Sequence, residues 1–214
     1  MLHENGIYSP FGPSIGIYDL KPETLSAFKD IAKNVRTANV DDAGKYLAGI
    51  IEEQYDITSM VNQELMNDIF ESATDYFKKR NQPEFPFACD GIWMNIQKPH
   101  EVNPPHEHTG ILSFVAYVQS GIEPEDCTNN PHDKRNQHDE TRKQVGGILE
   151  FRYGTASYLN NHVFEFFPKE GKVIFFPSWL THMVMPFYKE GVERISVAGN
   201  ISLYEPNDNN DKKL

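Results

Sequence analysis

Cysteine is scarce: only Cys89 and Cys127 occur in the 214 residues. Two thiols cannot build a disulfide framework, and a reducing cytoplasm is the simplest setting for them. Long apolar runs are missing as well, and nothing approaches the length that spans a bilayer. Met1 to Pro10 carries His3 and Glu4 but no basic stretch ahead of an apolar block, so no secretory signal is expected there. Positive charge is the third shortage. Lys and Arg number 20 against 31 Asp and Glu, a formal charge of -11. Binding to phosphate backbones needs the opposite balance, so nucleic acid is disfavoured as a partner. Tryptophan is rare at 2 residues, but 14 Phe and 10 Tyr lift the aromatic share to 12%, which suits a β-rich interior. Hydrophobic residues reach 39%, enough to bury the core of one domain, with or without an appendage.

The first third has helical spacing. Leu25, Phe28, Ile31, Ala32 and Val35 recur at three and four residues, placing them on one helix face. Pro22 suits the first turn, and Glu23 suits the positive end of the helix dipole. A shorter helix is predicted over Tyr46 to Ile51. A third is predicted to start after a cap at Thr58 or Ser59. Leu65, Ile69, Ala73, Tyr76 and Phe77 form its stripe, and Lys78, Lys79 and Arg80 close it.

Pro83 and Pro86 end that pattern. From Phe87 short runs of Ile, Val, Phe and Tyr alternate with Gly, Pro and Asn clusters, the punctuation of strands and turns. Candidate strands are Gly91 to Gln97, Ile111 to Gln119, Gly147 to Arg152, Val163 to Phe167, Lys172 to Phe176, His182 to Met185 and Arg194 to Ser202. Residues 120–146 form a polar insertion without periodicity, too long for a hairpin loop, read either as a functional lid or as a disordered insertion. The organisation expected is a helical region over 1–86 packed on a β core over 87–204, with a frayed tail at 205–214. Strands following helices suggest a mainly β (α+β) sandwich or barrel.

The chemistry-bearing residues fall in that β part. His106 and His108 stand in NPPHEHTG, just before the apolar strand ILSFVAYV. In extended chain, residues two apart share a face, so both imidazoles can aim at one point while Glu107 points away. Neutral imidazoles that converge can begin a metal site. The pair could equally be polar loop residues beside a proline turn. His182 ends GKVIFFPSWLTH and could close a site with the earlier pair, or be a half-buried histidine satisfied by the backbone. Arg194 and Ser196 share one strand face, with Ile195 and Val197 on the other. An arginine pointing inward from so apolar a segment needs an anion. A guanidinium fork beside a hydroxyl is a good receptor for a carboxylate. A surface ion pair is the other reading of Arg194.

Taken in order, HEH, GGILEF, FPSWLTH, ERIS and AGN resemble the 2-oxoglutarate and Fe(II)-dependent oxygenases. The likeness is closest to a bacterial and phage subgroup with HxH, an SGxYY-like strand, FPSWLxH and ERxSxxFN, and it runs from Trp93 to Leu203, about half the chain. It implies a double-stranded β-helix (jelly-roll or cupin-like) with the N-terminal helices packed against it. It also implies Fe(II), 2-oxoglutarate as cosubstrate and O2. His106, His108 and His182 would be the iron ligands. Arg194 would hold the distal carboxylate of 2-oxoglutarate, with Ser196 and Tyr117 adding donors. Asn95 and Asn200 match family asparagines that orient water or cosubstrate. Hydroxylation of a C–H bond is the implied outcome, in a small molecule or in a peptide or protein, as prolyl hydroxylases do. Succinate and carbon dioxide would be the co-products. The implied location is the cytoplasm, that of the host if a phage encodes the chain, with no membrane partner. Edge strands and the N-terminal helices could support a homodimer.

Two departures accompany the likeness. The wider superfamily completes its triad with a carboxylate, HxD or HxE, whereas His108 stands here. Either His108 ligates or a carboxylate such as Glu150 arrives from elsewhere. The strand reads LSFVAYV rather than LSGVYYV, so Phe114 replaces a glycine and should alter packing or pocket volume. Two other classes fit the same barrel: a cupin-like protein holding a different metal, and a non-catalytic interaction module with 120–146 as its partner loop.

Overall fold

A computed structural model describes residues 4–9, 12–83, 86–128, 146–158 and 161–203. The tail at 205–214 and most of the 120–146 insertion, His132 and His138 included, lie outside these residues.

Two helices form where the apolar spacing places them. Helix α1 spans Pro22–Asn34, with Pro22 in its first turn, Glu23 near its start and Lys33 near its end. It buries Phe28, Ile31 and Ala32, and Val35 continues the stripe in a following 3-10 turn. Helix α2 spans Gln63–Lys79. Its cap is Asn62, whose side chain accepts from the Leu65 amide at 3.0 Å, rather than Thr58 or Ser59. Thr58–Met60 instead forms a 3-10 turn ahead of it. The helix predicted over Tyr46 to Ile51 is absent. A 3-10 turn at Ala43–Lys45 precedes that stretch, which itself makes only a single bridge from Ile50 to Val102. Six residues beside two glycines cannot offset the cost of helix nucleation.

Among the described residues, eleven strands make two antiparallel sheets, as expected of a mainly β chain. In chain order they are β1 (Gly6–Tyr8), β2 (Ile15–Asp19), β3 (Glu53–Asp56), β4 (Phe87–Gln97), β5 (Asn103–His106), β6 (Leu112–Gln119), β7 (Leu149–Arg152), β8 (Val163–Phe166), β9 (Lys172–Pro177), β10 (His182–Val184) and β11 (Arg194–Leu203). The large sheet runs β1-β2-β9-β6-β11-β4-β3, and the small one β5-β10-β7-β8. Three strands of the large sheet thus come from the first 86 residues, which the helical spacing does not announce.

Alternation assigns each face. On β6, Leu112, Phe114, Ala116 and Val118 join the helices in the larger core, with Ile92, Met94 and Ile96 of β4 and Ile195, Val197 and Ile201 of β11. Phe114 therefore changes packing on the helix side and leaves the opposite face untouched. Its ring lies over its cross-strand partner Gly199, where a Cβ would sit 2.7 Å from the Phe114 Cε1. The inner face of the large sheet meets the small sheet in a second core of Ile15, Ile17, Leu149, Phe151, Phe164, Phe166, Ile174 and Phe176. The lining of the space between the two sheets includes Asn103 and His106 of β5 and His182 and Val184 of β10.

Candidate metal centre

His106 ends β5 and His182 begins β10, and the two face each other in the antiparallel register. His108 lies two residues past β5, held by its amide donating to the Ser178 carbonyl at 2.8 Å. The FPSW turn thus anchors the loop that carries the first pair while leading into the third histidine. Ring centroids stand 4.2 Å apart for His106 and His182, 4.8 Å for His106 and His108, and 5.0 Å for His108 and His182. One ring nitrogen from each lies within 4.8 Å of the others. Among the described residues this is the only group of three or more His, Cys, Asp or Glu side chains gathered in this way.

The donor set suits a metal ion. The Nδ1 of His106 lies 2.7 Å from the Pro104 carbonyl, and that of His182 lies 2.9 Å from the Leu180 carbonyl. A carbonyl can only accept, so each Nδ1 carries the proton and each Nε2 keeps its lone pair. Backbone acceptors of this kind orient metal-binding histidines. Burial then keeps the rings neutral. His182 packs against Phe176 and Phe151 at 4.6 and 6.0 Å between centroids. Burial, then the neighbouring His106, pushes its pKa down to about 3. The same two causes take His108 to about 4, and burial lowers His106.

Neither nearby carboxylate joins the cluster. Glu150 pairs in register with Met183 and Glu165, on the opposite face of the small sheet from Phe151 and His182, and accepts from the Arg152 Nε. Glu107 accepts from Thr181 Oγ1 at 2.7 Å.

A chamber between the sheets runs inward from the histidines, lined by Trp93, Asn95, Gln97, Tyr117, Arg194 and Ser196 among others. Cross-strand register makes this lining a row: Gln54 faces Asn95, Asn95 faces Ser196, and Ser196 faces Tyr117. Gln54 Nε2 donates to Asn95 Oδ1 at 2.8 Å, which occupies the Asn95 oxygen. The Tyr117 hydroxyl is buried with no hydrogen-bond partner, as are Gln54 Oε1 and Asn103 Oδ1. Unsatisfied polar atoms are costly in a sealed interior, and a row of them on a chamber wall is what a polar ligand would satisfy.

Arg194 points inward, 2% exposed. Its guanidinium donates to the Gly147 carbonyl and to Gln97 Oε1, and Phe187 lies beneath it at 5.5 Å. No carboxylate among the described residues pairs with it. Burial lowers its pKa to about 10, which still leaves it charged at neutral pH. Tyr117, Ser196 and Asn95 therefore meet Arg194 in one chamber with the three histidines. Asn200 does not share that lining: its Oδ1 accepts from Ser113 Oγ at 2.8 Å. His100 is remote, 2.9 Å from Glu190 on the surface.

Sequence reasoning missed Gln54 and Gln97. Their parts come from register with Asn95 and Arg194, which no local pattern encodes. Outside the chamber, a groove shares Leu47, Trp93 and His108 with it and carries Asp41, Asp42, Asp56, Asp90 and Glu107. None of these five carboxylates pairs with a cationic side chain among the described residues, so the approach to the histidines is acidic.

Comparison with known proteins agrees with this geometry. Residues 91–200 match the family described as "Putative 2OG-Fe(II) oxygenase". Among curated proteins none matches significantly. A Pseudomonas putida prolyl-4-hydroxylase superposes with a TM-score of 0.58 at 14% identity, over 89% of this chain and 92% of that one. AviO1 from Streptomyces viridochromogenes gives 0.55 at 12%, over 92% and 91%. A Trichoplax adhaerens prolyl hydroxylase, solved with a hypoxia-inducible-factor peptide, gives 0.54 at 12%, over 89% and 83%. The fold is the double-stranded β-helix of these proteins, and the matched segment carries both the HEH pair and His182. The chain belongs to the 2-oxoglutarate and Fe(II)-dependent oxygenase family. It is an oxygenase that uses Fe(II), 2-oxoglutarate and O2. No helix among the described residues is long and apolar enough to cross a membrane.

Proposed function

We propose that His106, His108 and His182 hold Fe(II), and that Arg194 receives the distal carboxylate of 2-oxoglutarate with help from Ser196 and Tyr117. The observation that carries this reading is the pairing of two features in one chamber. Three neutral imidazoles converge at its mouth, and a buried guanidinium without a carboxylate waits inside. Bound iron with 2-oxoglutarate and O2 supplies oxidative decarboxylation of the cosubstrate, coupled to hydroxylation of a C–H bond.

The chain's own residues perform the rest. The Pro104 and Leu180 carbonyls fix two imidazoles in the tautomer that offers Nε2. Three neutral ligands leave the site one charge more positive than a triad with a carboxylate, which favours a dianionic cosubstrate. Arg194 neutralises the far end of that dianion, and the Tyr117 hydroxyl donates to it. Asn95 orients the cosubstrate or water from the neighbouring strand. Trp93, with its ring 5.6 Å from that of His108, walls the chamber from the outer groove. The substrate is a small molecule or a peptide segment entering along that groove, and prolyl hydroxylation of a peptide is one such reaction. The acidic rim opposes polyanions, in keeping with the composition. A cupin-like site without 2-oxoglutarate has no use for a buried cation at this position.

The test is succinate formation from 2-oxoglutarate by the purified chain with Fe(II) and ascorbate, which should proceed slowly without substrate. His182→Ala should abolish it. Arg194→Ala should mainly raise the KM for 2-oxoglutarate, by about tenfold or more, since a buried charge-assisted contact is lost. Wild-type turnover in both variants would overturn the assignments.

A further inference from the structure

Arg194 depends on its neighbours for its aim. Gln97 lies directly opposite it in the β4–β11 register and is 3% exposed. Gln97 Nε2 donates to the Glu101 carbonyl at 2.6 Å. That bond settles the amide orientation: the oxygen must face the other way, where the Arg194 Nη2 donates to it. On the second side Arg194 Nη1 donates to the Gly147 carbonyl. Gly147 has φ +72, and a Cβ there would sit 2.4 Å from Ile122 Cδ1 and 3.1 Å from Phe187 Cβ, so the position strongly favours glycine. Two of the five guanidinium N–H groups are thus held by the protein, leaving the others for a ligand.

Both holding groups are neutral, and this decides what the arginine can do. A carboxylate in the shape of Gln97 would make the same contact but would also cancel the charge inside a low-dielectric chamber. An apolar side chain would leave the fork free to swing. We propose that Gln97 is the positioning residue for the cosubstrate: it aims Arg194 while leaving its charge uncompensated, and thereby sets the chamber's preference for a 2-oxo acid with a second carboxylate. This rests on the 2-oxoglutarate reading of Arg194 and adds a residue that local sequence does not single out.

The experiment compares two ligands that differ only at the far end. Anaerobic titrations of 2-oxoglutarate and of 2-oxobutanoate, which lacks the distal carboxylate, are run on the Fe(II)-loaded full chain. Calorimetry and the visible charge-transfer band report binding. Fe(II) affinity and thermal midpoint are measured alongside. Wild type should prefer 2-oxoglutarate strongly. Gln97→Glu should weaken 2-oxoglutarate by about tenfold or more, as expected when the guanidinium that meets its distal carboxylate is neutralised, while 2-oxobutanoate and Fe(II) binding hold. Gln97→Met, which adds no charge, should reduce the preference by a smaller factor and guards against a folding defect in the first variant. A purely structural role would shift the thermal midpoint and weaken both ligands alike, and that result overturns the proposal. So does an unchanged preference in both variants. A wild type that binds both 2-oxo acids equally well would remove the Arg194 assignment itself, and the role of Gln97 with it.

Discussion

The chemistry of this chain is concentrated in a few side chains whose charge state is set by burial. In the unfolded chain an imidazole takes up a proton near its ordinary value of about 6.5. In the fold His182 resists until about 3 and His108 until about 4. Between these limits the unfolded state binds more protons, so the metal-free protein is fully stabilised above about pH 6.5 and loses stability as pH falls. The slope should be about 1.4 kcal/mol per pH unit for each imidazole inside its window. Urea unfolding of the metal-free chain at pH 7 and pH 5 should show the loss, and His182→Phe should reduce it by about one imidazole's share. A pH-independent midpoint would contradict the buried neutral state. The three candidate histidines and Arg194 stand out in the sequence because their motifs are short and local. HEH relies on alternation along one strand, and FPSWLTH on a turn that ends in a histidine. Gln54 and Gln97 were hidden because their significance lies in which residue stands across the sheet, and register is a property of strand pairs.

Elements show the same division between local and long-range information. Helices α1 and α2 were legible because their stripes repeat over several turns. The Tyr46 to Ile51 segment misled because its apolar residues serve another purpose: Leu47, Ala48 and Ile51 line the chamber, while Tyr46 and Ile50 stay exposed. Strands β1 to β3 escaped because they are short, and β2 and β3 pair with β9 and β4, far away in sequence, while β1 pairs only with β2. The β6–β11 pairing carries a prediction of its own. Phe114 and Gly199 are opposed, and the ring, together with the Gly91 carbonyl 2.9 Å from where a Cβ would sit, fills the space a side chain at 199 would need. Gly199→Ala should destabilise the protein by about 1–3 kcal/mol through overpacking. In a Phe114→Leu background the same change should cost clearly less, because the two sites share one space. Additive losses in denaturant titrations would show that the ring is not the obstacle.

At the scale of the molecule, the large sheet works as a partition. Its helix-facing side is mostly apolar, with the Glu53–Arg36 ion pair near the β3 edge, and its other side carries the polar row beside Gln97 and Arg194. A small third cluster of Ile122, Cys127, Ile148 and Phe187 sits at one edge, against the arginine. There the Gly146 amide donates to the Cys127 carbonyl at 2.6 Å, so the chain departs for the polar insertion and comes back at one place. Such a clasp holds the two ends of the insertion together. Exchanging 130–144 for a brief Gly-Ser bridge should move the thermal midpoint by less than about 4 °C, since closure entropy changes little with loop length. A collapse of the midpoint on that exchange would reveal hidden support. The same doorway makes a natural splice point: foreign sequence of widely varying size could be carried there without the histidines or the arginine shifting.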